Sequence, residues 1–194
     1  MTAEVHHRFV AGATGATLLL LHGEGGNEND LPPIARAIAL GASVLSPRIV
    51  PVGANANEVA ATVDEFAHWL AHAVGEYELD SARVFALGYA NGANLASSLL
   101  LLHPGLLAGA ILLRPKRVIE PTPLPALSGI RVLVAGGEGD ETMRAGESEQ
   151  LARLLSHAGA DVDYATAESG HDLTPQDFSM CKRWLDEMLP PTAG

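Results

Sequence analysis

The sequence predicts one α/β domain over residues 1–194, built on a mostly parallel β-sheet with helices on both faces. Two observations carry this prediction. Short apolar runs alternate along the chain with longer segments whose apolar residues recur at helical spacing. The runs are bounded by Gly and Pro and are continuously apolar, which suits strands buried on both faces. Strand–helix alternation of this kind is typical of parallel sheets, and a chain of this length favours one domain.

The predicted strands are short, and the clearest is Thr17–Leu21 (TLLLL). A run of this length cannot form a long helix, and its neighbours in the sequence are polar or glycine-rich. An edge strand is expected first, and the fully apolar runs after it are expected to be buried strands; Asp161–Ala167 is a weaker candidate. In chain order they are Val5–Val10, Thr17–Leu21, Ala42–Ser46, Val84–Leu87, Gly109–Leu113, Val132–Ala135 and Asp161–Ala167.

Three helices follow from apolar spacing and capping residues. Asn57–Val74 places apolar residues at steps of three and four, which marks a single buried face. Glu147–Ala158 is followed by Gly159, a natural helix end. The last helix begins after Thr174, a good N-cap, and carries Cys181 on its apolar stripe. Cys181 is therefore interpreted as a core residue rather than a reactive thiol.

Composition excludes several classes of protein. Hydrophobic residues make up 47% of the chain and charged residues 18%, so wholesale disorder is excluded. The net charge is −11 and no basic stretch occurs, which argues against nucleic acid or an anionic membrane as a partner. The single cysteine permits no intrachain disulfide. No basic flank precedes an apolar core at the N-terminus, so we expect a cytoplasmic protein.

Unusual residues follow four of the predicted strands. In open parallel sheets the carboxyl ends of the strands are where ligands bind, so these segments are the candidates for a functional site. They are His22–Glu28, Gly88–Asn94, Gly136–Asp140 and Ser169–Asp172.

The second of these segments has the frame of a nucleophile elbow, a sharp turn from a strand into a helix. Gly88 and Gly92 flank Ala90 in the pattern Gly-x-Ala-x-Gly, and such glycines let strand and helix approach closely. The central residue of an elbow presents its side chain to the site. Here that residue is Ala90, which has no oxygen with which to attack a carbonyl.

Chain order supports the same hypothesis. An elbow at Ala90, an acid at Asp140 and a base at His171 follow the order nucleophile, acid, base. His171 would act as the general base, and Asp140 would hold its imidazole. The backbone N–H groups of Glu24 and Asn91 would form an oxyanion hole.

The motifs LLLLHGEGGNENDL, LGYANGANLASSLL, LLRP, AGGEGD and SGHDLT resemble, in this order, those of bacterial α/β-hydrolases. The family is the carboxylesterase/phospholipase type, close to the dienelactone-hydrolase-like and hydroquinone-linked hydrolases. The resemblance implies an α/β-hydrolase fold with no large lid domain. It also implies hydrolysis of small-molecule esters or thioesters through a Ser-His-Asp triad, with no metal and no organic cofactor. Relatives of this size often form homodimers.

The sequence departs from the family at three places. Ala90 stands where the family has serine, so we expect the chain to be inactive or strongly impaired as an esterase. Glu24 places a carboxylate where relatives have a small residue or Thr. The link from Arg48 to the helix near Asn57 is short, which would leave the pocket more open.

Two alternatives to an impaired esterase stay open on the sequence. A hydrolase pocket without its nucleophile could serve as a non-catalytic binding site for a small molecule. His68 and His72 have a spacing that can bind a metal, but the residue after His68 is Trp69 rather than the Glu of zinc proteases. A solvated helix face is the favoured interpretation of this histidine pair.

Overall fold

A computed structural model describes residues 5–39 and 41–189 of the chain. Its centre is one seven-stranded sheet in the order β1-β3-β2-β4-β5-β6-β7. The edge strand β1 runs antiparallel to β3, and all other neighbours are parallel. This confirms the predicted sheet. The strands are β1 His7–Val10, β2 Thr17–Leu21, β3 Ser43–Pro47, β4 Val84–Tyr89, β5 Gly109–Leu113, β6 Arg131–Gly137 and β7 Asp161–Ala167.

Helices cover both faces of the sheet, as the sequence predicts. Two separate apolar clusters fill the spaces between helices and sheet, one on each face. Helices α2, α3 and α4 contribute to the first cluster, and α1 and α5 to the second. No large lid stands over the sheet in the part of the chain that the structure describes. The helices are α1 Pro32–Ile38, α2 Ala56–Glu76, α3 Asn91–Leu102, α4 Glu147–His157 and α5 Pro175–Met188.

Capping side chains fix where two of these helices begin. The side chain of Asn55 accepts hydrogen bonds from the backbone N–H groups of Asn57 and Glu58, which starts α2. Thr174 and Asp177 form a reciprocal capping box at the start of α5, where the sequence predicts the N-cap. Both caps satisfy N–H groups that have no acceptor within their helix.

Cys181 lies in the core of the second cluster and is fully buried. Burial raises the pKa of its thiol to about 12. The thiolate, which is the reactive form, is therefore negligible near neutral pH. This confirms the interpretation of Cys181 as a core residue.

The described residues contain neither a helix suited to a membrane nor a cluster suited to a metal ion. No helix among them is both long and apolar enough to cross a bilayer. Across residues 5–39 and 41–189, no group of three His, Cys, Asp or Glu side chains is arranged to hold a metal ion. The ring of His68 instead bonds the backbone carbonyl of Asp64 within its own helix.

Candidate active site

The four segments singled out in the sequence lie together at the carboxyl-terminal end of the sheet's parallel strands. The register pairs Leu21 at the end of β2 with Gly88 near the end of β4. At the other side of the site, Gly137 at the end of β6 is paired with Ala167 at the end of β7. Because these strands are parallel, the loops that follow them emerge on the same side.

Ala90 occupies a sharp turn between β4 and α3. Its backbone has φ 48° and ψ −110°, outside the regions that residues with a Cβ ordinarily adopt. The neighbouring glycines have no room for a side chain. A Cβ on Gly92 would collide with the backbone carbonyl of Leu21, and one on Gly88 would lie 2.5 Å from the carbonyl oxygen of Gly92. Strand and helix are thus packed backbone to backbone around Ala90.

The structure brings Asp140 and His171 together. The Nδ1 atom of His171 lies 2.8 Å from Oδ2 of Asp140. The Asp140 side chain is 2% exposed, whereas that of His171 is 30% exposed. The carboxylate is therefore enclosed, while the ring reaches the surface of the site.

A third residue, Thr142, contacts both members of this pair. Its backbone N–H and its hydroxyl both donate to Oδ1 of Asp140, at 2.9 and 2.6 Å. Burial alone would raise the pKa of Asp140, but the hydrogen bonds from Thr142 and His171 outweigh it and hold that pKa below its ordinary value. Asp140 is therefore an ionised acceptor at neutral pH.

These contacts determine which nitrogen of His171 carries the proton. The hydroxyl oxygen of Thr142 lies 3.0 Å from Nδ1, and its own hydrogen is directed to Asp140. Both neighbours of Nδ1 therefore accept, so Nδ1 carries the hydrogen in the neutral ring. The lone pair is left on Nε2, which is the nitrogen a general base uses when its Nδ1 is held by a carboxylate.

The loop that carries His171 is held by two side chains from neighbouring strands. The hydroxyl of Tyr89 donates to the backbone carbonyl of His171 at 3.2 Å. Arg114, which directly follows β5, donates to the carbonyls of Gly170 and Asp172 on either side. Burial and the nearby carboxylate of Asp172 raise the pKa of Tyr89, so its hydroxyl keeps its hydrogen.

The loop after β2, predicted to supply an oxyanion donor, is fixed by His22. The buried ring accepts from the N–H of Ile49 through Nε2 at 3.0 Å, and its Nδ1 donates to the carbonyl of Gly23 at 2.7 Å. Further along, Arg48 makes a two-point ion pair with Glu28, with both distances below 3.0 Å. Glu24 lies between these anchors and is exposed.

Asn91 connects the elbow to the short link after β3. Its backbone N–H is the first of α3, so it has no acceptor within the helix. Its side chain accepts from the N–H of Val52 at 3.1 Å and donates to the carbonyl of Val50 at 3.2 Å. The link that the sequence marks as short is thus anchored at the turn, although Val50 is 63% exposed.

Comparison with known proteins identifies the family. "Putative hydrolase MhqD" of Bacillus subtilis (strain 168) is 32% identical over 197 residues, covering 94% of this chain and 98% of that protein. The crystal structure of the Bacillus cereus carboxylesterase has a TM-score of 0.88 and is 36% identical, covering 95% of both chains. The chain belongs to the carboxylesterase-type α/β-hydrolases. A carboxylesterase from Mesorhizobium loti is 35% identical with a TM-score of 0.86, covering 93% of this chain and 94% of that one. No family model matches the chain.

For this α/β-hydrolase, sequence reasoning identified Asp140 and His171 but missed three residues around them. Thr142, Tyr89 and Arg114 contact His171 or its loop only because distant segments of the chain come together. Arg114 alone had a usable signal, because a cation directly after a fully apolar strand requires a buried partner.

Proposed function

We propose that the chain is a carboxylic ester hydrolase of the Ser-His-Asp type in which Ala90 occupies the nucleophile position. In this proposal His171 is the general base, Asp140 orients it, and the N–H groups of Glu24 and Asn91 form the oxyanion hole. The substrate class is a small-molecule ester or thioester, and the proposed place of action is the cytoplasm. Turnover is strongly impaired because no acyl-enzyme can form at position 90.

The observation that carries this proposal is the backbone of Ala90. A residue with a Cβ at φ 48° and ψ −110° costs free energy, and elbows hold this conformation so that the central side chain points away from the helix into the site. The Asp140–His171 pair, with its lone pair on Nε2, supplies the general base that such an elbow needs. Carboxylesterase relatives support ester chemistry.

A methyl group at the elbow leaves one hydrolytic route. His171 Nε2 takes a proton from a water molecule while that water oxygen forms a bond to the ester carbonyl carbon. The tetrahedral intermediate then collapses, the C–O bond to the alcohol breaks, and the proton on Nε2 passes to the leaving alkoxide. Triad enzymes that lack a member retain about 10³–10⁴-fold acceleration over water. We therefore expect slow hydrolysis without an acyl-enzyme burst.

The test restores the missing oxygen. Ala90→Ser should raise kcat/KM for p-nitrophenyl acetate by about 10²-fold or more, since a covalent route then becomes available. It should also introduce a burst and make the protein reactive toward a fluorophosphonate. Ala90→Gly is the matched control, because it alters the same backbone position without adding an oxygen. Ala90→Ser combined with His171→Ala should lose the gain.

A non-catalytic binding protein is the second candidate, and the exposed carboxylate of Glu24 beside the expected oxyanion site favours it. A negative charge there opposes the developing oxyanion of hydrolysis. If folded Ala90→Ser gains no activity and does not react with the fluorophosphonate, the esterase proposal fails. Ala90→Ser combined with Glu24→Thr then separates the causes, because recovery only in the double variant would locate the fault at Glu24.

A further inference from the structure

Arg114 is a fully buried arginine at the end of a central strand. Its backbone N–H continues the sheet by donating to the carbonyl of Ala135 at 2.8 Å, and its φ of 53° turns the chain out of β5. A guanidinium cannot lose its charge in a protein, so a buried one must be paired and hydrogen bonded. The partners of Arg114 therefore show what this costly residue holds in place.

The charge is matched by Asp177 in the first turn of α5. Nη1 and Nη2 of Arg114 each lie 2.9 Å from one carboxylate oxygen, and both side chains are 0% exposed. Burial alone would raise the pKa of Asp177, but its hydrogen bonds with Arg114 and Thr174 hold that pKa below its ordinary value. The pair is thus ionised, and its two charges oppose each other in their effect on a nearby group such as Tyr89.

Nη1 also contacts the carbonyl of Ala135 on β6 at 3.4 Å, and the other donors of Arg114 are directed to the loop that carries His171. Nε donates to the carbonyl of Gly170 at 3.1 Å, and Nη2 donates to the carbonyl of Asp172 at 2.9 Å. Nη2 also reaches the hydroxyl of Ser169 at 3.0 Å. The residues on both sides of His171 are therefore fixed to one rigid, planar group.

Gly137 at the end of β6 makes this arrangement possible. A Cβ at this position would collide with the carbonyl of Gly170 and would lie 2.9 Å from Nε of Arg114. The absence of a side chain lets the loop approach both the sheet and the guanidinium. With the Tyr89 hydroxyl on the carbonyl of His171, three consecutive carbonyls of the loop accept from side chains of the sheet region.

We infer that Arg114, anchored by Asp177, is a positioning residue that fixes the backbone around His171 so that Nδ1 meets Asp140. The two flanking carbonyls leave His171 little freedom in φ and ψ, and the bond of 2.8 Å to Asp140 depends on that orientation. The catalytic meaning of this role rests on the proposed function, but the positioning itself can be measured in the unaltered chain.

The experiment follows the imidazole of His171 by ¹⁵N NMR, assigned among the eight histidines with a His171→Gln variant. The unaltered protein should show the Nδ1–H tautomer. Arg114→Lys keeps a positive charge opposite Asp177, but one ammonium cannot reproduce the fork that also reaches the two carbonyls. Gly137→Ala pushes the loop away without removing a charge. In both folded variants the fixed tautomer should give way to exchange between two tautomers.

Arg131→Lys is the matched control, because it makes the same change at another arginine that pairs with carboxylates. Its partners are Asp163 and Glu187 at 2.9 and 3.1 Å, but it lies at the opposite end of β6 from Gly137. This substitution should leave the His171 signals unchanged. In an Ala90→Ser background, Arg114→Lys should lower kcat about 10²-fold with KM changed less than about threefold, since misplacing a base by about 1 Å has that effect.

The outcomes separate this inference from the proposed function. An unchanged Nδ1–H tautomer in Arg114→Lys and in Gly137→Ala would overturn the inference, whatever the activity. Gly137→Ala decides the matter where Arg114→Lys does not fold. Failure of Ala90→Ser to gain activity would reject the esterase proposal. Loss of the fixed tautomer in Arg114→Lys and Gly137→Ala, but not in the control, would still establish that Arg114 positions His171.

Discussion

Replacement of Ala90 by Gly should stabilise the protein, contrary to the usual effect of this substitution. The left-handed φ of 48° with ψ of −110° strains any residue that has a Cβ. Strain of this kind costs about 1–3 kcal/mol. Glycine removes it but adds about 0.4–1 kcal/mol of conformational entropy to the unfolded chain. Because the methyl group is only partly buried, little packing is lost, and the net gain should be about 1 kcal/mol.

The assays are urea unfolding and thermal unfolding at neutral pH, both monitored by far-UV circular dichroism. A gain of about 1 kcal/mol should raise the melting temperature by roughly 2–4 °C for a domain of this size. Ala61→Gly is the matched control, because Ala61 is exposed in the interior of α2. There the same chemical change should destabilise by about 1 kcal/mol. Equal destabilisation by both substitutions would show that Ala90 is not strained, which removes the main support for an elbow.

Three further predictions follow from buried or hydrogen-bonded groups. Asp177→Asn should cost about 3–5 kcal/mol at pH 7, because Arg114 is left as an uncompensated buried charge. The pKa of Asp177 is lowered in the folded state, so its contribution to the free energy of unfolding is present above about pH 4 and is lost as the pH falls. The stabilities of the unaltered protein and of Asp177→Asn, measured by urea unfolding, should therefore converge in acid. Thr142→Val should raise the pKa of Asp140, because a hydroxyl donor to the carboxylate is lost, and a ¹³C carboxyl titration showing no rise would contradict the assigned contact. Cys181 should resist a thiol reagent such as DTNB in the folded protein and react in denaturant, and rapid native reaction would show that the thiol is accessible.

Strand bounds could be predicted closely where burial and chain breaks coincide. The bounds of Thr17–Leu21 and Gly109–Leu113 agree with the structure because each is fully buried and limited by polar or glycine residues. The seven-residue helix Pro32–Ile38 was not predicted. Its adjacent prolines resemble a chain break, although proline is well tolerated in a first helical turn. A helix of two turns offers too few positions for a periodic pattern.

Only those residues of the candidate site could be predicted whose type and position in the sequence indicate a chemical role. Asp140 and His171 follow from chain order and from the loops after their strands. Thr142 gives no such signal, since a threonine two residues after an acid is ordinary loop composition. The sequence predicts a cap at Thr174, but the pairing of Asp177 with Arg114 depends on contact between two distant segments. Side-chain contacts of this kind have no local pattern in a sequence.

Two features of the site are independent of the oxygen that Ala90 lacks. The turn at Ala90 is set by backbone packing at Gly88 and Gly92, whose collisions with an added Cβ involve only main-chain atoms. His171 keeps its proton on Nδ1 through Asp140 and Thr142, neither of which needs a hydroxyl at position 90. Under the proposed esterase function, His171 therefore already has the tautomer that a serine introduced at Ala90 would need, with the lone pair on Nε2. For this reason the gain expected from Ala90→Ser requires one added atom rather than a rearranged site.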